Sequence, residues 1–219
     1  SWKHLLRTIV TSSAYRQSSV TTPELLRVDP YNRLISRGSR YRLAAETLRD
    51  QALYVSGLLS GSMFGPSVYP PQPEGVWKVV YNGSEWMTSN GEDRYRRGLY
   101  TYWRRTSPYP SMMTFDAPSR EVCVSRRIRT NTPLQALILM NDPVFVETAL
   151  ALAASMHQAS PDGSDRAMIS DAFRVCTCRE PEEEELQHLV QLLQTEMAHY
   201  EDNPGEAVTL LEHHAALSG

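Results

Sequence analysis

Apolar residues recur along most of this chain at intervals of three and four, the spacing of one face of a helix. Trp2, Leu5, Leu6, Ile9 and Val10 predict an amphipathic helix over 2–15. Residues 18–30 are polar and turn-rich, and Asp29-Pro30 reads as an N-cap with proline at the first helical position, opening a short turn through Leu34 and Ile35. From about Ser39 a longer helix is expected, with Leu48, Ala52, Val55 and Leu59 on one stripe and an end near Gly57 or Gly61.

The pattern changes between Gly61 and Ser111, where glycine and proline are too frequent for regular structure. VWKVVYN (76–82) and GLYTYWR (98–104) are rich in β-branched and aromatic residues and predict a small antiparallel pair, joined by a polar connection. Such a long excursion inside a compact domain usually carries function. Helical spacing then returns. Thr132-Pro133-Leu134-Gln135 is a capping-box pattern, with Leu134, Leu137 and Ile138 expected to be buried. Asn141-Asp142-Pro143 stops that helix and starts another, with Asp142 as N-cap and Val146, Ala149, Leu150, Ala153 and Met156 facing inward. Further helices follow around Met168–Cys176, after Pro181 and, more weakly, over 205–217. The expectation is a mainly α domain over 1–219: N-terminal helices (1–60), an irregular arginine- and aromatic-rich segment (61–131) and C-terminal helices (132–219).

Composition adds little to this picture, but the order of charges does. The 219 residues are 41% hydrophobic and 21% charged, as in an ordinary soluble domain. No run approaches the roughly 20 apolar residues of a membrane span. Starting at Ser without a Met, the chain reads as an excised piece of a longer one. The net charge of −3 conceals segregation: nine Arg between Arg94 and Arg129 face only Asp116 and Glu121, whereas no Lys or Arg follows Arg179. Glu180 to Glu185 supplies five carboxylates, which suit a helix N-terminus better than a metal site. Cys123, Cys176 and Cys178 form no ligand pattern and are expected to be mainly buried free thiols, with a Cys123 pairing as the minority option. No zinc-protease, nucleophile-elbow, phosphate-loop or dinucleotide motif occurs.

Three groups of residues could carry chemistry. Glu46 and Asp50 lie one turn apart on a helix and could form an acid/base pair or half of a metal site, or simply be neutralised, by Arg42 and Arg49 along the helix or by reaching to the basic stretch. Tyr95, Tyr100, Tyr102 and Trp103 interleave with Arg94, Arg96, Arg97, Arg104 and Arg105. That mixture could line a sugar-binding groove or stack on single-stranded nucleic acid, or its aromatics could be core; net acidity and the lack of a recognised motif speak against nucleic acid. In the third group Asp116 and Glu121 stand among Arg120, Arg126, Arg127 and Arg129, as a site or as an internal ion network.

The strings GPSVYPPQPEGVW (65–77), YRRGLYTYWRRTSP (95–108), FDAPSREVCVSRRIRTNTPLQALILMNDPVFVE (115–147) and AFRVCTCREPEEEEL (172–186) resemble the PSD-type domain of unknown function. That domain lies at the C-terminal end of large planctomycete proteins that also carry cytochrome-c-like domains. The resemblance implies a parent protein with a signal sequence and an upstream haem domain, working outside the cytoplasm in electron transfer or polysaccharide handling. It also implies a further Leu- and Asp-rich helix beyond Gly219. Haem is expected only upstream, with no cofactor or metal in this chain, and the resemblance brings no catalytic residues. The first expectation is therefore a binding or docking module that presents Tyr100, Tyr102, Trp103, Arg104, Arg105, Arg120, Arg126 and Arg127 to a neighbouring domain or an anionic glycan. The alternatives are a hydrolase acting on polysaccharide through Asp116 and Glu121 or Glu46 and Asp50, and a surface that docks the upstream haem domain.

Overall fold

The computed structural model describes residues 1–73, 75, 85–159 and 163–218, with side chains up to residue 212. It is mainly helical, with nine α-helices and two short 3-10 turns among the described residues. Two compact units divide the chain, Ser1–Leu43 and Ala44–Gly219.

The first unit holds α1 (Trp2–Thr11) and α2 (Pro23–Val28). The amphipathic spacing of Trp2 to Val10 does form a helix, but no residue of it is buried. The second helix falls inside the stretch expected to be turns. Its start is nevertheless written in the chain: Thr22 is the N-cap, its hydroxyl accepting from the Leu25 amide at 3.2 Å, and Pro23 follows. Asp29 closes this helix rather than opening the next one. Its carboxylate accepts from the amides of Arg33 (2.7 Å) and Leu34 (2.8 Å), and Arg37 donates to the carbonyls of Asp29 and Pro30 at 2.8 and 2.9 Å. A knot of hydrogen bonds, not a hydrophobic core, shapes this unit.

The second unit begins with α3 (Ala45–Val55), six residues later than the spacing predicts, and the helix ends at Gly57 in the left-handed region. A long irregular segment then runs through 3-10 turns at Gly91–Tyr95 and Gly98–Tyr100 to α4 (Pro110–Thr114). The expected strand at 76–82 lies outside the described residues. Its expected partner at 98–104 is not a strand: it makes the second 3-10 turn and one isolated parallel bridge, with the Val68 amide on Tyr100 O and the Tyr102 amide on Val68 O, both 2.8 Å. After a second irregular stretch come α5 (Pro133–Asn141), α6 (Pro143–Ala159), α7 (Asp165–Thr177), α8 (Glu183–Asp202) and α9 (Pro204–Ser218), each packed on the next.

Asp142 acts as expected, capping α6 through the Val144 amide at 3.0 Å, and the chain turns by 58° between α5 and α6. No single helix among the described residues is long and apolar enough to cross a membrane. The core joins Ala45 of α3, Tyr109, Met112, Phe115 and Ala117 around α4, and Phe145 of α6. Aromatic rings extend it: Trp86 stacks on Tyr109 at 5.7 Å, and Tyr69 on Tyr102 at 4.8 Å. The expected burial of α5 is partly wrong. Leu134 and Leu137 are 56% and 54% exposed, and the buried residue of that helix is Gln135.

Candidate functional site

The helix α3 and the turn at 94–98 together organise the charged interior of the second unit. Gly98 makes their approach feasible, since a Cβ there would lie 3.0 Å from Glu46 Cα and 3.1 Å from its carbonyl oxygen. At this crossing Asp50 accepts from the Gly98 amide at 2.5 Å and pairs with Arg97 at 3.4 Å. Arg49, the residue before Asp50 on the helix, donates to Arg94 O at 2.9 Å. Arg94 in turn pairs with Glu147 of α6 at 3.2 Å, and the Tyr95 hydroxyl donates to the same carboxylate at 2.8 Å. Burial, followed by the bond to Glu147, raises the Tyr95 pKa, which keeps that hydroxyl a donor.

Three arginines of this region, Arg49, Arg94 and Arg96, are each only 3% exposed. Arg96 donates to the carbonyls of Pro66 (3.1 Å) and Phe64, and its guanidinium lies 3.9 Å from the centre of the Tyr100 ring. Arg49 has its Nε and Nη1 buried without a partner. Arg49 also lines a small cavity of about 10 Å³, together with Tyr109, Ser111 and Asp142. That is the room one water needs. Ser111 donates to Asp142, and burial raises the pKa of both Asp142 and Tyr109. None of Arg49, Tyr109, Asp142 and Glu147 stood among the candidate residues. Only Asp142 carried a signal, its place before Pro143, and that signal marked a helix start.

The four candidate carboxylates do not assemble into a site. Glu46 and Asp50 share a helix but serve different partners. Glu46 takes a two-pronged bond from Arg127 (2.7 and 2.9 Å), and although burial opposes it, this bond holds the Glu46 carboxyl below its ordinary range. Asp116 sits at φ 62° and accepts from the amide and hydroxyl of Thr130 at 2.7 and 2.9 Å, closing the loop between them. Gln135 completes that closure: its side chain accepts from the Thr132 amide (2.8 Å) and donates to Thr114 O (2.8 Å) and to the Thr130 hydroxyl (3.2 Å). Glu121 alone is exposed, with its own amide bonded to the Ser119 hydroxyl at 3.3 Å.

The expected binding residues divide in two. Tyr100 and Tyr102 are half-buried: the Tyr100 oxygen accepts from the Phe64 amide at 2.8 Å, and Tyr102 stacks on Tyr69. Trp103 packs against the core and donates to Ser119 O at 3.0 Å, with the Arg120 guanidinium 5.0 Å from its ring. Arg104 is half-buried and donates to the Thr106 hydroxyl at 3.1 Å. Arg105, Arg120, Arg126 and Arg127 are exposed, Arg127 with its fork occupied by Glu46. Around them Val122, Val124 and Ile128 also stand in solvent.

No group of three or more His, Cys, Asp or Glu side chains among the described residues could hold a metal ion. The three cysteines are free and, contrary to expectation, all exposed. What the arrangement can do is fix backbone with charge in its interior and present arginine with aliphatic side chains at its surface. Comparison with curated proteins and with solved structures returns no match. The family model of PSD1, a protein of unknown function (DUF1553), matches residues 1–193. The chain belongs to that family.

Proposed function

We propose that the second unit is a docking module, and that its contact surface is the stretch from Arg120 to Met140. The observation that carries this reading is the pairing of exposed cations with exposed apolar side chains in one continuous stretch. Val122, Ile128 and Met140 are 70%, 78% and 71% exposed, as are Leu134 and Leu137 at 56% and 54%, and the exposed Arg120, Arg126 and Arg129 stand beside Val122 and Ile128 in the chain. An apolar surface rimmed by one sign of charge fits a protein partner that is apolar at its centre and acidic at its edge. By the resemblance of its motifs, that partner is a neighbouring domain of the same extracytoplasmic polypeptide, the haem-bearing one foremost. Arginine forks at the rim suit carboxylates, haem propionates included.

The glycan reading loses support because all three aromatics are engaged within the protein, Tyr100 with Arg96, Tyr102 with Tyr69 and Trp103 with the core. A hydrolase reading would rest on Glu121 alone among the candidate carboxylates, whereas glycoside cleavage uses two. The test is calorimetric titration of the chain with the separately expressed haem domain. Binding that weakens at least tenfold in the double variant Arg126→Glu, Ile128→Asp supports docking. Absence of binding, or binding indifferent to that variant, ends the proposal. Retention in gels containing an anionic polysaccharide, lost in Arg105→Ala with Arg126→Ala, would restore the glycan instead.

A further inference from the structure

The first unit has a surface of its own that the docking stretch does not explain. At 3.6 residues per turn, Trp2, Leu5, Leu6, Ile9 and Val10 of α1 share one arc, and Lys3, His4, Arg7, Thr8 and Thr11 share the other. The apolar arc is uncovered: Trp2 is 81% exposed, Leu6 58%, and Leu5, Ile9 and Val10 nearly half. Nothing in the unit is available to cover it, for Asp29 is the one buried residue between Ser1 and Leu43. Charge within the unit is strongly one-sided, with eight Lys and Arg against Glu24 and Asp29, a net of +6. The rest of the chain therefore carries −9 of the overall −3. The Asp29 carboxylate is moreover turned onto the Arg33 and Leu34 amides, and no acidic residue precedes Glu24.

We infer that α1 and the cations of its unit bind an anionic lipid surface, with the helix lying flat in the headgroup region. Ten residues make a rod of roughly 15 Å, far too short to span but long enough to bed one face. Its features are those of an interfacial helix: half of its residues apolar and on one side, a tryptophan among them, and only cations among its charged side chains. A short apolar face binds weakly and reversibly by itself, so stable attachment calls for a second contribution from basic residues. Lys3, Arg7, Arg16, Arg33 and Arg40, all exposed, supply it. Cations strewn over forty residues match a plane of many headgroups better than they match one acidic groove, and this favours lipid over a protein partner.

The experiment is co-sedimentation of the full chain with phosphatidylcholine vesicles, with and without phosphatidylglycerol. Binding is expected only with the anionic lipid, falling as salt is raised, with roughly fivefold loss for Arg7→Gln through the removal of one cation. Leu6→Glu with Ile9→Glu is expected to abolish it. Both changes lie on exposed positions, and circular dichroism of each variant confirms that the remaining helices are retained. Trp2 emission is expected to shift to the blue on binding, by the difference between the chain and Trp2→Phe. Three outcomes overturn the inference: no co-sedimentation, equal binding to neutral vesicles, or binding unchanged by the Leu6 and Ile9 variant. Self-association of the free chain that those same substitutions abolish would also overturn it, because the apolar arc would then be a protein interface.

Discussion

Two arginine-rich stretches of this chain have opposite fates. Between Arg94 and Arg97 the guanidinium groups of Arg94 and Arg96 point inward, each 3% exposed, and hold carbonyls, a carboxylate and an aromatic ring. Between Arg120 and Arg129 every residue is exposed. The difference lies in what stands opposite. The first stretch meets Glu147 of α6, which takes Arg94, and the carbonyls of Phe64 and Pro66, which take Arg96; the second meets Glu46 of α3, which takes Arg127 at the surface. Arginine enters an interior where acceptors have been arranged in advance, because an unpaired buried charge costs several kcal/mol.

Substitutions should separate the two stretches cleanly. Arg94→Ala leaves Glu147, only 12% exposed, without its arginine and is expected to cost about 3–5 kcal/mol in urea unfolding. Gly98→Ala forces a Cβ against the backbone of Glu46 and should cost about 1–3 kcal/mol, with amide exchange speeding up first at the Gly98 amide bonded to Asp50. Asp116→Ala removes both bonds to Thr130 at the mouth of the exposed loop. A loss of about 1–2 kcal/mol is expected, with limited proteolysis faster between residues 118 and 129.

A smaller effect concerns an exposed pair of the same chemistry. Glu185 is drawn down to about 2 from 4.5, chiefly by the two-pronged bond from Arg179 and then by the Glu182 amide. Its folded pKa is below the unfolded one. Its stabilising contribution is therefore complete above about pH 4.5 and lost as the pH falls toward 2, and should show as faster amide exchange in the first turn of α8. Arg126→Ala marks the lower end. A change within about 0.5 kcal/mol is expected, and a larger one would mean that the exposed stretch, too, is structural.

How much of this could be read in advance depended on how locally each feature is encoded. The Gln135 bond to the Thr132 amide and the Asp142 cap both lie within three residues and were legible. The Thr22-Pro23 start was equally local but was passed over inside a polar stretch. The inward face of α5 was misread because the residue it buries is Gln135, chosen for the hydrogen bonds it makes and not for apolarity. The Arg49 and Arg94 placements depend on partners 45 and 53 positions away, and no periodicity reports such pairings. Neutralisation of Glu46 by the basic stretch is legible as one option, but not its partner: spacing puts Glu46 and Asp50 on one face, while Arg127 and Gly98 draw them apart.

The bond between Asp116 and Thr130 has a practical consequence for anyone handling the protein. It fastens both ends of the intervening segment, and Gln135 rivets that fastening to α4 and α5. Apart from Ser119 and Arg127, which hold Trp103 and Glu46, the residues between can consequently be labelled or substituted while the helices on either side keep their register. A chain nicked between Ser119 and Arg129 should travel as one particle until its hydrogen bonds are melted, and the two pieces, mixed after separation, should reassemble.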